Sequence, residues 1–234
     1  MKLNSIAKHG VRSRDILSSG ETAYNTIAEK IISGDLPPGE KLSVRAMAEL
    51  TGVSTIPVIE ALQRLEYEGL IESFPHWGSR VVALTPETIR DRNALREAVE
   101  CQAVRIVAEM DLSKEEQLRL NSLVTELDSL PRSLEQGNPF WSRHYEFHME
   151  LAKLTGCFSL ERALHNVSLF HLLQRNILAK EAMLTDIPND LHLRIVEAIL
   201  KKKPDEAERT MREHIRLSRN GIPEDAFGIQ GEEQ

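Results

Sequence analysis

Four histidines lie at positions that suit them to hold a metal ion. His144 and His148 are four residues apart, so a helix would place them on one face with their Cβ atoms about 6 Å apart. His192 lies in an apolar segment further along the chain, and His214 lies in an amphipathic segment beyond it. Imidazole is the commonest side-chain ligand for zinc, nickel and similar ions. This pattern predicts one divalent-metal site built by three helices; the alternative is that all four are hydrogen-bonded core residues.

Motifs that would mark a metal-dependent enzyme are missing from the sequence. There is no His-Glu-x-x-His pair, no phosphate-binding loop, no nucleophile elbow and no Glu-x-x-His motif of the di-iron bundles. A histidine cluster with no acid beside it lacks an obvious general base. A metal-dependent helical-bundle enzyme is therefore the less favoured function and stays only as the alternative.

Composition bounds the class of protein and its compartment. The 234 residues carry 29 basic and 36 acidic side chains, which give a formal net charge of −7. This balance does not by itself indicate a nucleic-acid binder, whose usual footprint is a basic patch. Cys101 and Cys157 form no Cys-x-x-Cys motif, and the sequence shows no secretory or membrane-spanning apolar run. We therefore expect a cytoplasmic protein with no membrane segment and with two free, buried thiols.

The N-terminal third of the chain predicts a winged helix-turn-helix over residues 19–84. An amphipathic segment from Glu21 ends at Gly34, and two further helices are expected after the capping residues Ser43 and Ser54. Two short β-type runs follow at 70–73 and 80–83, joined by a turn. Residues 1–18, which are polar and basic, are expected to form a flexible N-terminal arm.

The part of the sequence between residues 85 and 219 has the periodicity of helices throughout. Capping residues and prolines divide it into candidate helices at 86–109, 114–130, 138–156, 158–182, 187–202 and 204–219. Short connections favour an antiparallel bundle of six or seven helices. The predicted fold is thus mostly α, with an N-terminal winged helix-turn-helix, a C-terminal helical bundle and an acidic tail at 220–234.

Several motifs, in this order along the chain, resemble those of the GntR-type bacterial transcriptional regulators. In the first domain they are Leu36-Pro37-Pro38-Gly39-Glu40-Lys41-Leu42, Gly52-Val53-Ser54, Pro57-Val58, Glu60-Ala61-Leu62 and Glu68-Gly69-Leu70-Ile71. The second half resembles the all-helical FCD ligand-binding domain of the FadR subfamily, at Arg96-Glu97, Phe147-His148, His192, Ala198-Ile199 and His214. The likeness covers about residues 20–218. It implies a metabolite-responsive DNA-binding regulator that is not an enzyme, with its effector-binding domain at 85–219.

The resemblance also implies how the metal is held. FCD domains bind a divalent metal through Asp-x-x-x-His and two further histidines, and His148, His192 and His214 match the three histidines. His144 stands where the family has the aspartate. A neutral imidazole there removes a negative charge and favours zinc or nickel over magnesium or calcium, which prefer oxygen ligands. Alternatively, His144 stays outside the coordination shell.

A small organic acid is the effector that the resemblance implies. Arg96 resembles an arginine that faces the family's effector cavity, and Arg175 on a later helix is a second candidate. Arginine binds carboxylates through two parallel hydrogen bonds, which makes it suited to this role. The alternative for each arginine is a salt bridge within the protein.

The DNA contacts implied by the resemblance fall on the helix after Ser54, the helix before it and the wing. The predicted DNA-binding residues are Arg45, Ser54, Thr55, Ile56, Ile59, His76, Trp77 and Gly78. Thr55 and Ile59 occupy positions where the family has arginines, and their methyl groups are expected to contact thymine methyls. One reading helix covers few base pairs, so we expect a homodimer on an inverted repeat in double-stranded DNA. The alternative is that DNA binding has decayed or that Ile59 meets a partner protein.

Overall fold

The computed structural model describes residues 18–75, 78–130, 139–180 and 191–220, which fall into two compact units. The first unit contains the described residues up to Leu84 together with Leu169–Ile177, and the second contains Thr85–Ser168 and the described residues from Leu178 onward. Helices predominate in both, which confirms the predicted, mostly α fold class. Among these residues, every helix is too short or too polar to cross a lipid bilayer.

Three helices and a small antiparallel sheet make up most of the first unit. They are α1 (Ser19–Ile32), β1 (Lys41–Leu42), α2 (Val44–Thr51), α3 (Thr55–Tyr67), β2 (Ile71–Phe74) and β3 (Gly78–Val81). The strand order is β1-β3-β2, and Ile71 lies opposite Val81 in the β2–β3 pair. This is the predicted winged helix-turn-helix. The two-residue β1 was not predicted, because so short a run carries no alternation of polar and apolar residues.

The ends of these helices follow from capping residues, with one exception. Ser43 caps α2 through a bond from the Ala46 N–H, and α2 ends at Gly52 in the left-handed conformation. Ser54 stands at the N-cap position of α3, but its side chain makes no capping hydrogen bond, so the prediction that it caps this helix is wrong. The physical reason is Pro57, which is the third residue of α3 and lacks the N–H that an N-cap side chain commonly accepts from.

Among the described residues after Thr85, the structure has six helices. They are α4 (Pro86–Glu109), α5 (Lys114–Ser129), α6 (Pro139–Leu154), α7 (Phe158–Lys180), α8 (Leu191–Leu200) and α9 (Pro204–Asn220). Their ends lie within about two residues of the predicted ones wherever the structure describes both; positions 138, 181–182 and 187–190 of the predicted helices lie outside the described residues. Thr85 and Ser113 cap α4 and α5, and Pro204 is the first residue of α9.

Apolar side chains from α4, α5, α6, α8 and α9 form one hydrophobic core in the second unit. Its fully buried members include Val104, Val107, Leu120, Leu127, Phe147, Ile195, Val196 and Met211. The four histidines of the sequence pattern lie on three of these helices and are buried with them.

The two cysteines are both free thiols, but only one of them is buried. Cys101 lies inside α4, where burial raises the pKa of its thiol to about 12. Cys157 is exposed, so the prediction that both thiols are buried is wrong. It directly follows Gly156, whose φ of 65° breaks the chain between α6 and α7, and so it belongs to the buried face of neither helix.

Candidate metal centre and DNA-reading surface

Four imidazoles from three helices converge on one point in the second unit. His144 and His148 come from α6, His192 from the first turn of α8, and His214 from α9. One nitrogen of each can be chosen so that all four atoms lie within 4.8 Å of one another. All four residues are buried, with between 1% and 6% of their surface exposed. The structure thus brings the four predicted positions together in one place, and their role as metal ligands stays a prediction.

Helix geometry and aromatic packing hold the rings in place. The spacing of four residues in α6 puts the Nε2 atoms of His144 and His148 3.2 Å apart. His192 and His214 have ring centroids 4.4 Å apart at a steep angle, and His214 stacks on His148 at 5.1 Å. Phe147 contacts His192 edge-on, which closes one side of the cluster with an apolar ring. The arrangement brings lone-pair donors together without any charged ligand among the four.

Burial keeps His144 in the protonation state that metals require. It lowers the pKa of His144 well below its ordinary value, and the neighbouring imidazoles lower it further. A neutral imidazole offers a lone pair on one ring nitrogen, whereas a protonated imidazole offers none. The residues therefore fit a divalent transition-metal ion in the chemistry of their donors.

A buried carboxylate lies directly behind this cluster. Oε2 of Glu100, on α4, is in contact with Nδ1 of His148, and Oε1 accepts a hydrogen bond of 2.5 Å from Nε of Arg96. Both α4 residues have 2% of their surface exposed. Burial alone would raise the pKa of Glu100, but Arg96 and His148 outweigh it and lower the pKa to about 2. Glu100 is thus a carboxylate, and the expectation of a cluster with no acid beside it is wrong.

Glu100 was not predicted from the sequence, although one signal for it was present. Arg96 and Glu100 are four residues apart in a helix, the spacing at which an arginine and a carboxylate pair on one face. That face is buried, as the neighbouring Ala103 and Val99 show. The predicted effector ligand Arg96 therefore faces inward, and its Nε already binds a carboxylate of the same helix. Its role towards an effector stays a prediction.

The second predicted effector ligand, Arg175, is buried as well. It lies in Leu169–Ile177, the part of α7 that belongs to the first unit. Its Nε lies 3.4 Å from Nε2 of His171, one helical turn earlier. Its role as an effector ligand also stays a prediction.

The predicted reading surface of α3 is exposed. Ile56 and Ile59 expose 69% and 43% of their surface, while Val58 and Leu65 of the same helix are fully buried. Thr55 and Ser54 at its start are exposed too, and Gly78 begins β3 with a φ of 81°. His76 and Trp77 lie outside the described residues. An isoleucine pair on an open helix face adds nothing to the core of this unit.

Arg45 on α2 is the remaining predicted DNA contact. Its side chain is 90% exposed and pairs with Glu49, which is 69% exposed, at 3.2 Å. A pair this exposed holds an arginine weakly, because solvent screens it. The guanidinium of Arg45 can therefore leave Glu49 and bind DNA at a small cost in free energy.

Comparison with known families agrees with this two-part organisation. Residues 19–81 match the bacterial regulatory proteins of the gntR family, and residues 91–217, more than half of the chain, match the FCD domain. The chain therefore belongs to the gntR family of bacterial transcriptional regulators and carries an FCD domain. Its relatives are transcriptional regulators and not enzymes, so the alternative of a metal-dependent enzyme is rejected.

Individual relatives are similar over different lengths. An HTH-type transcriptional regulator in an unstable DNA locus of Streptomyces ambofaciens is 34% identical over 134 residues, which are 57% of this chain and 55% of that protein. The HTH-type transcriptional repressor RspR of Escherichia coli (strain K12) is 25% identical over 192 residues, 82% of this chain and 83% of that protein. The solved structure of E. coli McbR/YncC, 19% identical, has the same fold, with a TM-score of 0.68 over 88% of this chain and 97% of that one.

The buried Arg96–Glu100 pair gives a direct prediction for stability. Replacing Arg96 by alanine leaves a buried carboxylate without its guanidinium, which should lower the free energy of unfolding by about 3–5 kcal/mol. Urea unfolding followed by circular dichroism measures the change. The control is Arg90→Ala on the same helix, since the pair of Arg90 with Glu87 is largely exposed and its loss should cost far less. Equal effects of the two substitutions would mean that the Arg96–Glu100 pair contributes no more than a surface contact.

Proposed function

We propose that this protein is a metabolite-responsive transcriptional regulator that binds an inverted-repeat operator as a homodimer. A small carboxylate, bound in a metal-containing pocket of the helical domain, would regulate its activity. The observation that carries the proposal is the convergence of four buried imidazoles from α6, α8 and α9 in a chain that also has a DNA-reading unit. Because the target is chromosomal DNA, we expect the protein in the cytoplasm.

The proposed metal is zinc or nickel, held by His148, His192 and His214 with His144 as the fourth ligand. Neutral nitrogen donors suit these borderline ions, while magnesium and calcium demand oxygen ligands. The nearest carboxylate described here, that of Glu100, faces Nδ1 of His148. It therefore supports a ligand of the metal and is not proposed as a ligand itself.

The proposed effector is an organic acid that binds the metal and Arg96. A metal with an exchangeable coordination position accepts a carboxylate oxygen, and a guanidinium carries five N–H donors in a planar fork. Arg96 can thus donate to Glu100 through Nε and to a second carboxylate through the remaining N–H groups of its guanidinium. Arg175 remains the second candidate for an effector contact.

The proposed operator contacts start from the exposed residues of α3. Methyl groups of Thr55, Ile56 and Ile59 can pack on the C5 methyl of thymine in the major groove, where they read A·T pairs. Guanine would then be read mainly by Arg45. Although the protein is acidic overall, basic side chains of its DNA-binding domain would contact the DNA phosphates. We therefore expect DNA binding to weaken steeply with salt.

Metal content is the first test of the proposal. Protein purified without chelator should hold about one zinc or nickel ion per chain by elemental analysis. Alanine at His148, His192 or His214 should lower the metal content and the melting temperature. The control is His165→Ala, because that histidine pairs with the Tyr145 hydroxyl at 2.7 Å and is not one of the four. Only trace metal after reconstitution would mean that the four histidines are core residues.

Effector binding is tested with a panel of small mono- and dicarboxylates. A true effector should raise the melting temperature of the metal-loaded protein, because it binds the folded state. Arg96→Lys keeps the charge but loses the planar fork, so we expect about tenfold weaker binding. Arg90→Lys, an exposed position of the same helix, serves as the control. Unchanged affinity in Arg96→Lys would remove Arg96 from the effector site.

DNA specificity is tested by selection from random duplexes. The unaltered protein should select an inverted repeat rich in A·T at its central contacts, with two chains per duplex. Ile59→Arg should shift the preference towards guanine, since a bidentate arginine–guanine contact gives about 1–3 kcal/mol of discrimination. Leu118→Arg adds the same charge at an exposed position of α5 and should leave the preference unchanged. A guanine-centred site for the unaltered protein, or equal binding by a monomer, would contradict this assignment.

A further inference from the structure

We infer that Glu100 is a positioning residue of the metal centre, and that it fixes the tautomer and orientation of His148 so that Nε2 points at the metal. The inference rests on the proposed metal function. It assigns a role to a residue of α4, a helix that provides none of the four imidazoles.

The geometry around His148 favours one tautomer. A carboxylate oxygen of Glu100 is in contact with Nδ1, and a lone pair on Nδ1 would face that negative oxygen. A proton on Nδ1 turns the same contact into an attraction, because Nδ1–H then donates to the carboxylate. The lone pair of the ring consequently belongs to Nε2, which lies 3.2 Å from Nε2 of His144 on the inner side of the cluster.

Arg96 holds Glu100 in this orientation. Its Nε donates to the other carboxylate oxygen, so each oxygen of Glu100 has a different partner and the group is fixed between α4 and α6. A metal-bound imidazole whose second nitrogen donates to a carboxylate is more basic and better oriented than one that does not, and losing such a partner weakens metal binding by about 10–100-fold.

Glu150 provides a matched control for substitution of Glu100. It is also a buried carboxylate bound by an arginine, Arg119, and it lies on the histidine-bearing helix α6. The changes Glu100→Gln and Glu150→Gln therefore both remove one arginine-paired negative charge while keeping the shape of the side chain. Only the first of them alters a group in contact with His148.

The experiment measures Zn²⁺ affinity by competition with a chromophoric chelator, and the visible absorption spectrum of the protein loaded with Co²⁺. Glu100→Gln should bind Zn²⁺ about 10–100-fold more weakly and shift the Co²⁺ ligand-field bands, while Glu150→Gln should match the unaltered protein in both. Equal affinity and an unchanged spectrum in Glu100→Gln, with metal bound, would overturn the inference and leave the metal site standing. If the unaltered protein binds neither ion, the proposed metal function fails first.

A second measurement does not depend on the variant folding. In the metal-free, unaltered protein, ¹⁵N-edited spectra of the histidine rings report which nitrogen carries the proton. His148 should be protonated on Nδ1, as the contact with Glu100 requires. A His148 ring protonated on Nε2 alone would falsify the inference whatever the affinities are.

Discussion

Burial of four imidazoles around one point is the constraint on which the second unit depends. Each ring brings polar nitrogens into a core built from apolar side chains. Such groups are tolerated in a core only when they stay neutral and find polar partners. The lowered pKa of His144 meets the first of these conditions for that ring. The contact of its Nε2 with Nε2 of His148 meets the second. Helices α6, α8 and α9 consequently have to meet at this one place.

The buried charges of Arg96 and Glu100, which lie beside the histidine cluster, are not explained by stability of the fold. A buried arginine–carboxylate pair is seldom more stabilising than two apolar side chains of similar volume, because both ions must be desolvated. The fold alone therefore gives little reason for Arg96 and Glu100 to occupy the inner face of α4. The contact of Glu100 with His148 does give one, since it places a negative charge, paired with Arg96, against a ring that can bind a cation on its other nitrogen.

The sequence was sufficient for the helices and for the pairing of His144 with His148, because both follow from local spacing. Residues four apart share a helix face, so His144 and His148 had to lie together once α6 formed. Glu100 could not be assigned in this way, since its contact with His148 joins two helices that are distant along the chain. Ser54 and Cys157 were misjudged for a local reason: Pro57 removes a capping donor, and Gly156 takes the chain out of the helix just before the thiol.

His144 and His148 of α6 are distant along the chain from His192 of α8 and His214 of α9, and this has a consequence for folding. A metal ion bound by them would close a long loop of chain between α6 and α8, much as a cross-link does. Unlike a disulfide, such a cross-link is reversible, and its strength grows with the free metal concentration relative to the dissociation constant. The rigidity of the helical unit would then follow the metal supply of the cell, so that a bacterium starved of the ion would hold a looser protein of unchanged sequence.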